Sequence, residues 1–226
     1  MALLEHARPW VRLKVAISLD GSTALPNGHS QWITGAAARA DGHAWRSKAC
    51  AVLTGAGTVR QDNPRLDVRL VPCERQPALV LVDSRLETSP DAAVFDVADR
   101  EIWVYCAQAE PGRKAGLEQR GATVTLLPTH DGKVDLDALM RDLARRNITE
   151  LHVEAGALLN GSLVREGLVD EFLVYLAPKL IGEGRPLATF GPLGDLDQAV
   201  GLAFSSVTLV GDDLRILARV VRRAFS

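Results

Sequence analysis

The chain has 226 residues of which 47% are hydrophobic, ample for a well-buried core, and a single domain over residues 9–226 is expected. A formal net charge of -2 offers no general attraction to nucleic acid or an anionic membrane surface, so neither is expected as a partner and anion binding must be local. The longest apolar runs are strand-sized, far short of the ~20 residues a membrane span needs.

Met1–Arg8 has no periodicity and reads as a loose leader or a cut end. With no charged segment followed by a signal-like hydrophobic run, the expected location is cytoplasmic. Val11–Ile17 alternates apolar residues with Arg12 and Lys14, the period of a strand, and delivers a loop through Asp20-Gly21 and Pro26-Asn27-Gly28 to Trp32. Thr34 can cap a helix over Gly35–Lys48, on which Arg39, His43 and Arg46 share a face. Ala51–Thr54 is a short strand entering Gly55–Thr58, where two glycines permit a tight turn and close backbone approach. Ala78–Val82 and Ile102–Cys106 are continuous apolar runs, the pattern of strands buried on both faces.

Gly112–Arg120, Thr123–Leu127, Leu136–Arg146 and Leu151–Glu154 then alternate helix with strand, the pattern of parallel strands joined by crossover helices. A helix over Leu158–Glu166, a strand over Phe172–Ala177 and a Gly/Pro-rich loop over Gly182–Gly194 follow. Ala203–Val210 and Leu214–Val221, joined by Gly211-Asp212-Asp213, read as an antiparallel hairpin at a sheet edge. The expected fold is therefore α/β, with a mainly parallel central sheet, flanking helices and a C-terminal antiparallel hairpin.

Two glycine turns at strand ends, Gly55–Thr58 and Gly156–Ser162, could converge on one extended phosphorylated ligand. Gly156 and Gly161 have the spacing of a triphosphate loop and Ser162 follows, but the lysine that would hold the outer phosphates is missing, which favours a phosphate-bearing cofactor over a hydrolysed triphosphate. A strand feeding a helix start presents backbone N–H groups and the positive end of the helix dipole to an anion. At Gly55–Thr58 the match is G-x-G with Arg60 where a third glycine belongs, so a standard dinucleotide fingerprint is disfavoured and a simple tight turn stays open. Arg46 and Arg69 could clamp a phosphate through paired guanidinium donors, or they could be solvated surface charges. Ser30 could add a hydroxyl donor. Asp62 and Glu154 are candidates for orienting or protonating a substrate, Lys14 for stabilising negative charge, and Trp32 for stacking on a flat ring. By strand alternation His152 shares a face with Glu154. Cys50, Cys73 and Cys106 lack a C-x-x-C pair and the five histidines lack ligand spacing, so no metal site is expected.

Taken in order, the blocks Lys14–Gly21 (KVAISLDG), Ser30–Thr34 (SQWIT), Arg46, Thr58–Pro64 (TVRQDNP), Leu66–Arg69 (LDVR), Val82–Ser84 (VDS), Val153–Gly156 (VEAG), Gly167–Glu171 (GLVDE) and Ala177–Gly182 (APKLIG) resemble one family. It is the reductase domain of the bacterial bifunctional riboflavin-biosynthesis deaminase/reductase. The resemblance covers nearly all of the chain from Pro9 onward. It implies a dihydrofolate-reductase-like fold, NADPH as cofactor, a homodimer, and reduction of 5-amino-6-(5-phosphoribosylamino)uracil to its ribitylamino counterpart. It places Ala16, Trp32, Thr58, Asp62, Ser84 and the stretch Gly156, Ala157, Leu158, Leu159, Asn160, Gly161 and Ser162 on the cofactor. It places Ser30, Arg46, Leu66, Arg69 and Glu154 on the phosphorylated small-molecule substrate; Lys14, Glu154 or a bound water could then supply the proton or polarise the imine, and the sequence does not choose between them.

Two departures accompany the resemblance. The deaminase half of the family carries H-x-E and P-C-x-x-C zinc ligands; here H-x-E occurs at His152-Val153-Glu154 with no P-C-x-x-C, so no deaminase activity is expected. Cys50 stands where many relatives have an acid, and a packing change is expected there. Two other readings remain: a dihydrofolate-reductase-like enzyme of another pterin or pyrimidine, and a noncatalytic nucleotide-binding domain.

Overall fold

The computed structural model describes residues 8–221. Apart from Arg8, the expected leader Met1–Arg8 lies outside the described residues. The described residues divide into two compact units: residues 8–10 with His43–Gly156, and Val11–Gly42 with residues 157–221.

The first unit is a parallel sheet. Its strands are β3 (Ala51–Gly55), β4 (Ala78–Val82), β5 (Ile102–Cys106), β6 (Ala122–Leu126) and β7 (Glu150–Val153), ordered β7-β3-β4-β5-β6. The apolar runs at β3, β4 and β5 are buried along nearly their whole length, as expected for strands covered on both faces. The helices between them begin where local chemistry satisfies their first N–H groups. Glu110 accepts from Gly112 and Arg113 ahead of α3 (Pro111–Glu118), and Asp135 accepts from Ala138 ahead of α4 (Leu136–Arg145). On α4, Leu136, Leu139, Met140 and Leu143 recur at helical spacing and are all buried. One expectation changes here: Gly55–Thr58 is not a free glycine turn, because β3 runs straight into α2 (Ala56–Asp62). Gly57 sits inside that helix with open space where a Cβ would stand.

The second unit holds β1 (Trp10–Ser18, nearly all of it), β8 (Glu171–Ala177), β10 (Leu202–Val210) and β11 (Asp213–Val220), ordered β10-β11-β8-β1. β1 and β8 are parallel, and the expected hairpin β10/β11 joins β8 antiparallel through β11, making β10 an edge strand. A short ladder between β2 (Ser22–Ala24) and β9 (Arg185–Pro186) lies inside segments that read as loops, because two- and three-residue strands carry no periodicity. The α1 helix (Ala36–Lys48) passes from one unit into the other along the chain. At its start the Gly35 N–H donates to the Asp213 carboxylate at 2.7 Å. The helix α5 (Ala157–Arg165) begins one residue earlier than its sequence pattern suggested.

Candidate active site

In the first unit, Thr58, Asp62, Ser84, Glu154 and Gly156 follow the carboxyl ends of three adjacent parallel strands. Leu53 of β3 is in register with Val153 of β7, and Gly55 with Val82 of β4, so Glu154, the start of α2 and Ser84 emerge from one edge of the sheet. Ligands of parallel α/β sheets bind at that edge. Glu154 is tied to the sheet by its own N–H, which donates to the Leu53 carbonyl at 2.8 Å.

Arg46, near the end of α1, makes the central contact. Its Nε donates to Glu154 Oε1 at 2.6 Å, with both side chains largely buried, and its Nη1 donates to the Asp67 carbonyl. Burial alone would pull the guanidinium pKa down; the Glu154 carboxylate beside it more than compensates and holds it above the usual arginine value. His152, fully buried on β7, places Nε2 3.5 Å from Glu154 Oε1, so the shared face expected from alternation is present.

The segment from Asn63 to Arg69 is irregular, yet its backbone is held by side chains. Asn63 and Leu66 adopt positive φ (40° and 52°), which turns the chain twice in four residues. Arg100 donates to the carbonyls of Arg65 and Leu66, each at 3.1 Å, and to that of Val94. Its burial lowers its pKa to about 10. Gln76 brackets Val68, accepting from its N–H at 2.7 Å and donating to its carbonyl at 3.0 Å. His43 Nδ1 accepts the Arg69 N–H at 3.2 Å. The Asp67 carboxylate then takes Arg69 on one oxygen and Arg65 on the other, the latter at 3.2 Å. Burial raises the Asp67 pKa, but the two guanidinium groups outweigh it and keep the carboxyl below its usual range. The result is a half-exposed pair of guanidinium groups on a stiff support. Leu66 itself turns its side chain into the apolar cluster with Val59, Leu79 and Phe95.

Among the cofactor candidates of this unit, Thr58 is half-buried on α2 with its hydroxyl 3.5 Å from where a Gly156 Cβ would stand. Ser84 follows β4 at a bend organised by Asp83, whose buried carboxylate accepts from the Thr88 N–H and hydroxyl, each at 2.7 Å. Asp62 is exposed at the end of α2. Hydroxyls, backbone N–H groups at a helix start and an exposed glycine are a donor set that suits a phosphorylated nucleotide.

The remaining candidates belong to the second unit. Lys14 and Ala16 lie on β1, with Lys14 Nζ 5.9 Å from the Tyr175 ring centre. The Tyr175 hydroxyl donates to Asp41 at 2.6 Å, and Arg215 reaches the same carboxylate at 3.0 Å. Trp32 is exposed, with the Arg39 guanidinium 4.3 Å from its ring and its carbonyl accepting from Lys179 Nζ at 3.1 Å. Ser30 is half-buried, its carbonyl accepting from the Ile33 N–H. Ala157–Ser162 is helical and not a loop. Ala157, Leu158 and Leu159 form the first turn of α5, with Leu158 well exposed. Asn160 is buried and donates to the Leu187 carbonyl at 2.9 Å, while a Cβ on Gly161 would stand 1.9 Å from the Thr189 carbonyl oxygen. Ser162 accepts from Arg165 at 3.1 Å.

Sequence reasoning singled out neither Asp67, Gln76 nor Arg100, and gave His43 no role beyond its helix face. For His43 a usable signal existed, its position one turn before Arg46; Gln76 and Arg100 act on the backbone of residues 8 and 34 positions away, which no local pattern shows.

Comparison with known proteins matches residues 9–216 to the model of the RibD C-terminal domain. The riboflavin biosynthesis protein RibD of Escherichia coli K12 is 37% identical over 219 residues, covering 91% of this chain and 58% of that protein. The Bacillus amyloliquefaciens RibD is 35% identical, with 93% and 57% covered. The chain thus spans less than two thirds of the length of these curated relatives. Among solved structures, Acinetobacter baumannii RibD aligns with a TM-score of 0.84 at 30% identity, covering 98% of this chain and 60% of that one. A Thermotoga maritima protein described as a diaminohydroxyphosphoribosylaminopyrimidine deaminase/5-amino-6-(5-phosphoribosylamino)uracil reductase aligns with a TM-score of 0.81 at 26% identity, covering 97% and 59%.

Proposed function

The chain belongs to the RibD C-terminal domain family, and on that premise we propose that it reduces 5-amino-6-(5-phosphoribosylamino)uracil to the ribitylamino compound in riboflavin biosynthesis, with NADPH as reductant. The observation that carries this reading is the cluster at the carboxyl edge of β7, β3 and β4. There the buried Arg46–Glu154 pair stands beside the half-exposed Arg69, braced by Asp67. Guanidinium groups fit the oxygens of a phosphate, and anchoring that end of the substrate aligns the other end for reaction.

Bound NADPH would supply the hydride that the opened sugar imine accepts at C1. Within the first unit Thr58, Asp62, Ser84 and Gly156 are the residues proposed to hold it; for Ala16, Trp32 and Ala157–Ser162 the same role is proposed on the resemblance alone. Arg46 and Arg69 take the substrate phosphate, and Ser30 and the Leu66 backbone add contacts. Glu154, engaged by Arg46 as an anion, orients a substrate hydroxyl. Lys14, whose ammonium is within cation–π range of Tyr175, polarises the imine nitrogen that takes up the proton.

A homodimer is part of the same proposal. Its support is β10, an edge strand whose Leu202, Phe204, Val207 and Leu209 are exposed in the isolated chain. A cytoplasmic location is proposed too; among the described residues no helix is long and apolar enough to cross a membrane.

The test mixes the purified protein with NADPH and the phosphorylated substrate and follows cofactor oxidation and product mass. A gain of two hydrogens in the product with stoichiometric oxidation is expected. Oxidation with dihydrofolate but not with this substrate would overturn the proposal, as would NADPH binding with no turnover of either.

A further inference from the structure

We propose that His43 is the positioning residue for Arg69, acting through the backbone of the loop that carries it; this rests on the reductase reading above. His43 and Arg46 lie three residues apart on α1 and so project from one face of the helix. Arg46 holds the loop at the Asp67 carbonyl, and His43 holds it two residues on at the Arg69 N–H. Gln76 fixes both polar groups of Val68 in between. Three consecutive residues thus have their main chain bound by side chains, two from α1 and one from the far end of the same connection to β4, and the Asp67 carboxylate orients the Arg69 guanidinium from that support.

The contact dictates the state of the ring. To accept an N–H at Nδ1, the imidazole must be neutral with its proton on Nε2. Four charged groups act on it: Arg46 on its own helix, Arg69 and Asp67 on the loop, and Glu154 after β7. Burial and the two arginines favour the neutral form, in agreement with the hydrogen bond. His43 needs no contact with substrate to matter; it limits where Arg69 can stand, and only a phosphate-bearing substrate feels that.

The experiment compares wild type, His43→Leu and His43→Asn on the phosphorylated substrate and on its dephosphorylated counterpart. Asn places an amide oxygen where Nδ1 stands and keeps the acceptor. For His43→Leu the KM of the phosphorylated substrate is expected to rise about five- to tenfold, with kcat and the KM of the dephosphorylated compound within about twofold of wild type. His43→Asn is expected to restore the KM. An equal loss on both substrates, or an Asn variant no better than Leu, would overturn the proposal. The tether is also read without turnover, by amide hydrogen exchange at Arg69. Faster exchange in the Leu variant and wild-type exchange in the Asn variant support it; equal exchange in all three overturns it, even where the reductase reading has itself failed for want of turnover.

Discussion

Arg46 and Arg69 carry the same charge but stand in different surroundings, and their substitutions should differ accordingly. Arg69 is half-exposed and, among the described residues, pairs with Asp67, so on the proposed role Arg69→Ala removes a charge-assisted contact to the substrate and little else. A loss of about one to two powers of ten in kcat/KM with an unchanged melting temperature is expected, checked by steady-state kinetics beside thermal unfolding. Arg46 is buried against Glu154, and Arg46→Ala would strand that carboxylate, at a cost of about 3–5 kcal/mol of stability. His43 adds a pH dependence. Burial first, then Arg46 and Arg69, lower its pKa from the ordinary 6.5 to about 4. Between those values the unfolded chain binds a proton that the folded one refuses. Stability is therefore complete above pH 6.5 and declines as pH falls toward about 4, by an amount on the order of 3 kcal/mol. Urea unfolding at pH 7 and pH 5 should show a smaller decline in His43→Asn than in wild type.

At the scale of elements, Gly156 and Gly161 looked like one motif but meet different neighbours. Gly156 is exposed at the end of the strand-to-helix connection, and an added Cβ would touch only the Thr58 hydroxyl, at 3.5 Å. Gly161 faces the backbone of Thr189, which is itself pinned by its N–H to the Ala157 carbonyl at 2.8 Å. Gly156→Val should leave the fold intact and weaken NADPH binding, measured by fluorescence titration; normal affinity in the folded variant would remove Gly156 from the cofactor site. Gly161→Ala should instead lower stability, by about 1–3 kcal/mol for an overpacked contact, seen as a drop in melting temperature. The glycine spacing that resembled a phosphate loop thus combines one exposed position with one required by packing.

For the whole molecule, the edge strand β10 is an apolar surface the isolated chain leaves exposed. Phe204 and Leu209 are 73% and 69% exposed, and an uncovered apolar edge of this kind invites pairing with another chain. On the proposed homodimer, Phe204→Glu should yield monomer in sedimentation velocity where wild type yields dimer; a dimer that persists in the variant would place the interface elsewhere. The main strands and most helices were legible in the residues themselves, because period-two and continuous apolar runs declare strands, whereas the helix α2 and the short strands β2 and β9 were not. The family blocks likewise pointed to Arg46, Arg69 and Glu154. What no local pattern could decide is which distant groups meet. The Arg46–Glu154 bond joins residues 108 apart, and the Arg100 contact to Leu66 spans 34. Periodicity reports the face a side chain turns to, while the partner on that face is set by how parallel strands come into register; only folding brings His43, Gln76 and Arg100 to one loop.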